Sequence, residues 1–467
     1  MDAAVAAGHP ATTAAGVEIL EDGGSAADAA VAACLASCVA ETVMTGLLGG
    51  GHGIYWDARR NAARNLDCFV AVPGLGREGR PAPDLVRLEV PFGEELVHYA
   101  IGPASCAVPG VPAGLDVLWR EHGRLPWARL VEPALQLARE GVVFPEAHAA
   151  CLAMLAPVMT MDAGAGIYAP GGQLLQAGDR LEQPGLVNAL EAIASEGAHS
   201  IYSGALADAL LTLCEERDGL VTRRDLDAYE PVWSEPVSVP YLDWTLLTRG
   251  GLSRVPETAA RLPRLRDVDA TTRVLGLVRT FADSSGPETH TTNVTVVDGD
   301  ENACVLTTSL GLGSGDFLPD LDLHLNSMLG EVDLLQGPLE PGRRMQSMMA
   351  PTLAVAAVDG LTLAAGAAGG TRLRGALLGV VAGILDEELD APKAVDRPRF
   401  HPVGKTINAE PGVDEDALVR LAADGWTVRR WPSRHHYFGG VSVVSRRGCA
   451  GDPRRSGAAA SPRPVTR

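Results

Sequence analysis

Two adjacent threonines, Thr291 and Thr292, stand at the head of the run TTNVTVV, whose composition reads as a β-strand. β-Branched residues suit strands, so a threonine there has an ordinary structural reading. A valine would pack as well, but it has no oxygen with which to attack a carbonyl. The other candidates carry less. The glycine stretch GLLGGGHG (Gly46–Gly53) lacks the Lys-Ser/Thr ending and the strand-then-helix setting of a phosphate loop, and reads as the close-packed start of a strand. In GLGSGD (Gly311–Asp316), Asp316 stands where a dinucleotide fingerprint needs a third glycine, and Ser314 is not centred as a nucleophile elbow requires. His435 and His436 are adjacent, which in a strand sends them to opposite faces, and no further ligand is near in sequence. They are expected at the surface, and Trp431, Tyr437 and Phe438 as core or edge packing. Eight cysteines show no metal-ligand spacing and are expected as reduced, mostly buried thiols. No metal or other cofactor is expected.

The elements that must position these residues follow from pattern. At 467 residues and 46% hydrophobic content, the chain can bury one large α/β unit or two ordinary domains. A formal charge of −19 argues against nucleic-acid and anionic-membrane partners and favours small or neutral ligands. No apolar run is long enough to cross a bilayer, and Met1-Asp2 opens no signal-peptide pattern, so the chain as given is expected to be cytoplasmic. A signal peptide upstream of the given start would make it exported. GVEILEDGGSAADAAVAACLASCVAE reads as a helix ending near Asp22-Gly23-Gly24, then an alanine-rich helix that is apolar almost all round and therefore buried. Residues 112–141 form two helical segments, and Thr222 is placed to cap a short helix. Residues 235–250 alternate as a strand. Residues 252–289 form a proline- and arginine-punctuated connector with one helix around Asp269–Ala282. TTNVTVV and ACVLTTSL make a hairpin through Asp298–Asn302, and a second hairpin turns at Asp359-Gly360 before a helix in TRLRGALLGVVAGILDEEL. EDALVRLAADGWTVRRW closes with a helix and a strand. The tail, residues 451–467, is rich in Ala, Pro, Arg and Ser and is expected to be disordered. Hairpins with helices gathered before and after predict an α+β sandwich of two antiparallel sheets faced by helical layers.

The run TTNVTVVDGDENACVLTTS resembles the start of the small subunit of the γ-glutamyltransferase family, whose members are N-terminal nucleophile (Ntn) hydrolases. HPATTAAGVEILEDGGSAADAAVAA is similar to the family's opening helices, and AVPGVPAGLDVLWREHGRLPWARLVEPALQLAREGVVF to its next segment. GLVTRRDLDAYEPVWSEPVSVPY, SMMAPTLAV, GAAGGTR and DPRRSGAAA continue the resemblance in the right order over nearly the whole chain. It implies a four-layer αββα sandwich and self-cleavage of the His290–Thr291 bond, giving a large segment 1–290 and a small segment 291–467 as an intertwined heterodimer. The connector would then be a mobile segment that moves away after the cut. A terminal Thr291 would hold a hydroxyl nucleophile and, as base, an α-amine with a reference pKa of about 7.7 to 8.0. The resemblance further implies oxyanion donors in the backbone N–H groups of Gly369 and Gly370, a steadying hydroxyl in Ser309, and substrate contacts from Asn326 and Ser347.

The chain also departs from the family pattern. The arginine expected to hold a glutamyl α-carboxylate is Phe69, the aspartate expected for its α-amine is Leu329, an expected asparagine is Gly311, and one of two serines is Met348. Hydrogen bonds to charged groups are worth about 1.5 to 3 kcal/mol each, so loss of this clamp weakens glutamyl binding by orders of magnitude. Arg344, Arg372 and Arg374 are candidates for a substitute charge, although arginines in such places are usually structural. EVDLLQGPLEPGRRMQ leaves little room for a lid over the site. The leading expectation is a self-processing γ-glutamyltransferase-like enzyme acting on a small-molecule amide. The runner-up is an amidase or acylase for a less polar acyl group, as β-lactam acylases are, and the third reading is an unprocessed homologue without catalysis.

Overall fold

The computed structural model describes residues 1–77, 85–92, 95–282 and 291–463. Two antiparallel sheets lie face to face. In the seven-stranded sheet the order is Ala458–Ala460, Ala4–Ala7, Thr292–Val297, Ala303–Ser309, Gly50–Asp57, Ala62–Cys68 and Val232–Ser234. In the six-stranded sheet it is Gly448–Gly451, Gly440–Ser445, Gly360–Ala368, Thr352–Ala356, Trp244–Thr248 and Val237–Tyr241. Both sheets contain strands from each side of position 291: they interleave in the seven-stranded sheet, and in the six-stranded sheet four from after it adjoin two from before it.

Strand periodicity sorts the side chains into layers. Along Thr292–Val297, Val294 and Val296 join the core shared with the helices, while Val297 joins Ala4, Ile54, Val305, Leu353 and Val444 between the sheets. The alanine-rich helix, Ala26–Ala40, is buried at every position, because small side chains let it lie close against both the sheet and its neighbouring helices. Ser25 and Asp28 close a capping box at its start. Asp298, in the hairpin loop, accepts from Ala26 N at 2.9 Å and so ties that loop to the helix N-terminus. The helix Arg372–Leu385 covers the outer face of the six-stranded sheet with Leu373, Leu377 and Val381, completing the αββα order. Thr222 caps Arg223–Ala228 with its own capping box, as its sequence position predicts.

Four expectations are corrected. Residues 451–460 are ordered, not a disordered tail: Ala458–Ala460 pairs with Ala4–Ala7, and Arg454 is buried in contact with Glu410 and Asp452. A composition typical of disorder is here a strand of small residues, with Arg454 paired inside. Residues 464–467 lie outside the described residues. The connector is largely packed: Leu265, Leu277 and Phe281 are buried beside the Arg372–Leu385 helix, and only residues 283–289 of it lie outside the described residues. Residues 235–250 form a hairpin, not one strand, turning at Leu242 with φ of 53°. His436 is buried at the start of a 3-10 turn with its ring 4.1 Å from that of half-buried His435, so the pair does not straddle a strand.

Candidate active site

Thr291 immediately precedes the Thr292–Val297 strand, near the middle of the seven-stranded sheet, and is 2% exposed. The register pairs Thr292 with Thr308, so Ser309, one step further, lies across from Thr291. Thr291 Oγ1 accepts a hydrogen bond from the backbone N–H of Gly369 at 3.0 Å. Gly369 and Gly370 follow the Gly360–Ala368 strand with φ of 121° and 56°. At Gly369 a Cβ would stand 2.8 Å from the Cα of Gly439, so glycine is what lets this loop bring its N–H to the threonine.

Thr291 separates two small cavities. On one side is a cup of about 270 Å³ lined by Phe69, Ser309, Met328, Glu331, Ser347 and Met348, with Gly370 at its edge. Ser347 Oγ accepts from Met349 N at 3.1 Å, and Ser309 Oγ accepts from Gly311 N at 2.9 Å. Thr291, Ser309, Ser347 and Gly370 therefore share one cavity, and Gly369 contacts Thr291 directly. Asn326 stands apart. Its amide accepts from Ala107 N and Met328 N and donates to Leu48 O and Ala107 O, a full set of bonds that fastens backbone rather than facing the cup. His290, the other half of the expected cleavage site, lies outside the described residues.

None of the three candidate arginines lines the cup. Arg344 donates to Phe69 O and lies over the Tyr229 ring, Arg372 donates to Tyr437 O, and Arg374 donates to Thr258 Oγ1 and Phe281 O. Phe69 does line it, and Leu329 packs with Phe69, Met328 and Met349 in the hydrophobic cluster beneath.

On the other side of Thr291 is a polar chamber of about 290 Å³ that holds Glu41, His148, Asp452 and Arg455. Glu41 accepts from Thr12 Oγ1 at 2.7 Å and from Thr292 Oγ1, so it grips the residue next to Thr291. Burial raises its pKa from 4.5 to about 7, against the hydrogen bonds and the Arg455 charge. His148 is held well below its usual pKa by burial, with His9 and Arg455 adding to the effect. Sequence reasoning missed this chamber. The signal was an acid at position 41 directly after an otherwise apolar helix.

Glu41 gives a pH prediction. Its folded pKa is raised, so between its unfolded value and about 7 the folded state holds a proton that the unfolded state has lost, and stability declines as pH rises through that window. Glu41→Gln keeps the neutral shape without titrating. Thermal unfolding should show the variant gaining on the native chain between pH 4.5 and 7, by on the order of 3 kcal/mol in all. A constant difference across that range would exclude a raised Glu41 pKa.

Among the described residues no helix is long and apolar enough to cross a membrane, and no three His, Cys, Asp or Glu side chains cluster to hold a metal. Two facing antiparallel sheets between helical layers define the Ntn-hydrolase fold. A cephalosporin acylase from Bacillus halodurans has the same fold, with a TM-score of 0.84 at 22% identity over 99% of this chain and 96% of that one. The gamma-glutamyltranspeptidase family model matches residues 12–275 and 256–462, so the chain belongs to the gamma-glutamyltranspeptidase family. Its relatives include the acylase ACY 1 proenzyme of Pseudomonas sp. (strain V22), 27% identical over 94% of this chain and 89% of that protein. They also include the glutathione hydrolase proenzyme of Escherichia coli (strain K12), 26% identical over 91% of this chain and 85% of that protein.

Proposed function

We propose that the chain is a self-processing amide hydrolase or acyltransferase whose nucleophile is the hydroxyl of Thr291, and whose acyl group is less polar than γ-glutamyl. The observation that carries this reading is the position of Thr291: it lines the largely apolar cup, and its Oγ1 lies 3.0 Å from the backbone N of Gly369. Relatives named as proenzymes support self-processing.

In the processing step Oγ1 attacks the carbonyl carbon of His290, the C–N bond breaks as the ester forms, and water then hydrolyses the ester. The products are a carboxylate on His290 and a free α-amine on Thr291. That amine takes the proton of Oγ1 in each later turnover, while the oxygen attacks a substrate amide. The tetrahedral oxyanion is held by the N–H groups of Gly369 and Gly370, aimed beforehand by the left-handed backbone of the loop. The amine leaves, and water or a second amine resolves the acyl ester. Phe69 and Met348 favour the less polar acyl class over γ-glutamyl, because among the described residues no cationic side chain lines the cup to meet an α-carboxylate.

The test has two parts. Mass spectrometry of purified, incubated protein should find fragments 1–290 and 291–467, and butanoyl p-nitroanilide should be hydrolysed at least tenfold faster in kcat/KM than glutaryl p-nitroanilide. An intact chain without hydrolysis supports the non-catalytic reading instead. Preference for glutaryl and γ-glutamyl anilides would return the γ-glutamyl assignment.

A further inference from the structure

A pocket of about 470 Å³ shares no lining residue with the cup or the polar chamber. It lies between the helix Ala270–Phe281, the helix Arg372–Leu385 and the strand Phe400–Val403. Its walls carry Arg273, Arg372, Arg397, Arg399 and His401, and among the described residues no acid lines it. The acids behind the walls do not balance the arginines. Glu387 serves both Arg273, at 3.1 Å, and Arg397, at 2.6 Å. Asp452 serves Arg399 and Arg454, but Arg454 has Glu410 as well, so the surplus positive charge falls on the Arg273 and Arg397 pair. The crowding shows in the titrating groups. Burial lowers the pKa of Arg273 with Arg397 adding to it, and burial holds His401 well below its usual range with Arg372 and Arg374 adding to that. His401 is 4% exposed, and its Nε2 has no hydrogen-bond partner among the described residues, although buried polar groups are usually paired. Much of the remaining lining is apolar: Leu277, Phe281, Phe400 and Phe438, with Gly375 and Gly379 hollowing the helix side. A Cβ built on Gly379 would meet nothing within 4 Å.

We propose that this pocket is a second binding site, for an organic carboxylate with a compact apolar body, such as an aromatic acid. The carboxylate meets the surplus charge of Arg273 and Arg397, whose planar guanidinium groups suit its two oxygens, and the body packs against Leu277, Phe281, Phe400 and Phe438. A cation would face four arginines, and an inorganic anion would leave the aromatic faces without a partner. In a chain of net charge −19, so concentrated a positive lining draws anions that the rest of the surface repels. Occupancy reaches the oxyanion loop through main chain. Arg372 Nε donates to Tyr437 O at 2.8 Å, Arg399 donates to Gly439 O at 3.0 Å, and Gly439 is the residue against which Gly369 packs. Arg372 N also donates to Gly369 O at 3.1 Å. A bound carboxylate competes with those carbonyls for the two guanidinium groups, so it lowers turnover without filling the cup. The effect on turnover rests on the hydrolase reading above; the site itself does not.

Thermal shift and titration calorimetry on the native chain test the site without turnover. Benzoate should bind and raise the melting temperature, benzamide, of the same shape without the charge, should not, and inorganic phosphate should do less than benzoate. Arg397→Gln removes the surplus charge while leaving Glu387 to Arg273, and should weaken benzoate binding by about tenfold or more, the usual worth of a charge-assisted hydrogen bond. Arg397→Lys, which keeps the charge, should recover part of that loss. Gly379→Leu fills the pocket from a helical position where glycine is unfavourable, and should abolish the response to benzoate in a chain that is no less stable, so the test survives even if the Arg397 variants fail to fold. No response to benzoate, an equal response to benzamide or phosphate, or benzoate binding that persists unchanged in Gly379→Leu overturns the proposal. Kinetics add a second readout where the chain cleaves butanoyl p-nitroanilide. Benzoate should lower kcat and leave KM unchanged, whereas a rise in KM alone would place the acid in the cup and overturn the second site while leaving the hydrolase reading intact.

Discussion

Thr291→Ala is expected to give a single uncut chain with no measurable amide hydrolysis. The reason is the absence of an oxygen, not loss of the fold. Thr291 is buried just before a central strand, where alanine fits without a clash, and the main structural loss is the acceptor for Gly369 N–H. A buried donor left without its partner costs about 1 to 3 kcal/mol, which a chain with cores on both outer sheet faces and between the sheets tolerates. The variant should therefore be soluble, with a melting temperature a few degrees below the native one. Thr291→Ser restores an oxygen and should restore cleavage at the same bond, because Oγ1 and not the methyl group attacks. Mass spectrometry separates the cases. An alanine variant that is still cut between residues 290 and 291 removes the nucleophile assignment, and an alanine variant that is uncut but hydrolyses anilides at the native rate removes the link between cutting and turnover.

The layered fold was legible in the sequence because its strands alternate strongly and its turns carry turn residues. The Asp298–Asn302 hairpin, the Asp359-Gly360 hairpin and the buried alanine-rich helix all stand where periodicity puts them. The C-terminal strand was not legible, since Ala458–Ala460 has no pattern of its own and is held by pairing with Ala4–Ala7 from the other end of the chain. At the site, Thr291, Ser309, Gly369, Gly370 and Ser347 could be named from short runs. What those runs could not reveal was which side chains arrive from distant segments. Glu41 reaches Thr292 across 251 positions, and Glu331 reaches its place only because Gly311 has no side chain. Asn326 differs in another way: a residue named for a substrate contact has its amide bonded to the backbone of Leu48, Ala107 and Met328 and to Cys106 Sγ, partners that arrive from distant segments.

Gly369→Ala is expected to lower kcat by about 10² to 10³, the usual loss when one oxyanion donor is removed. The N–H itself survives the substitution, so the effect must act through geometry. At φ of 121° an L-residue is strained, and the new methyl would lie 2.8 Å from the Cα of Gly439. That neighbour is main chain and cannot rotate away as a side chain could. The loop must then shift, and an N–H now 3.0 Å from Thr291 Oγ1 leaves the position from which it serves the developing charge. Strain of this kind costs on the order of 1 to 3 kcal/mol, so a moderate fall in melting temperature should accompany the kinetic loss. KM should change little, because Phe69, Met328 and Glu331, which shape the cup, belong to other segments. Self-cleavage passes through the same kind of oxyanion and should slow in parallel, so the cut fraction must be measured by gel and kcat expressed per cut chain. A variant with native kcat per cut chain and a lowered melting temperature would mean that Gly369 shapes the loop without touching the reaction, and that the oxyanion is held elsewhere.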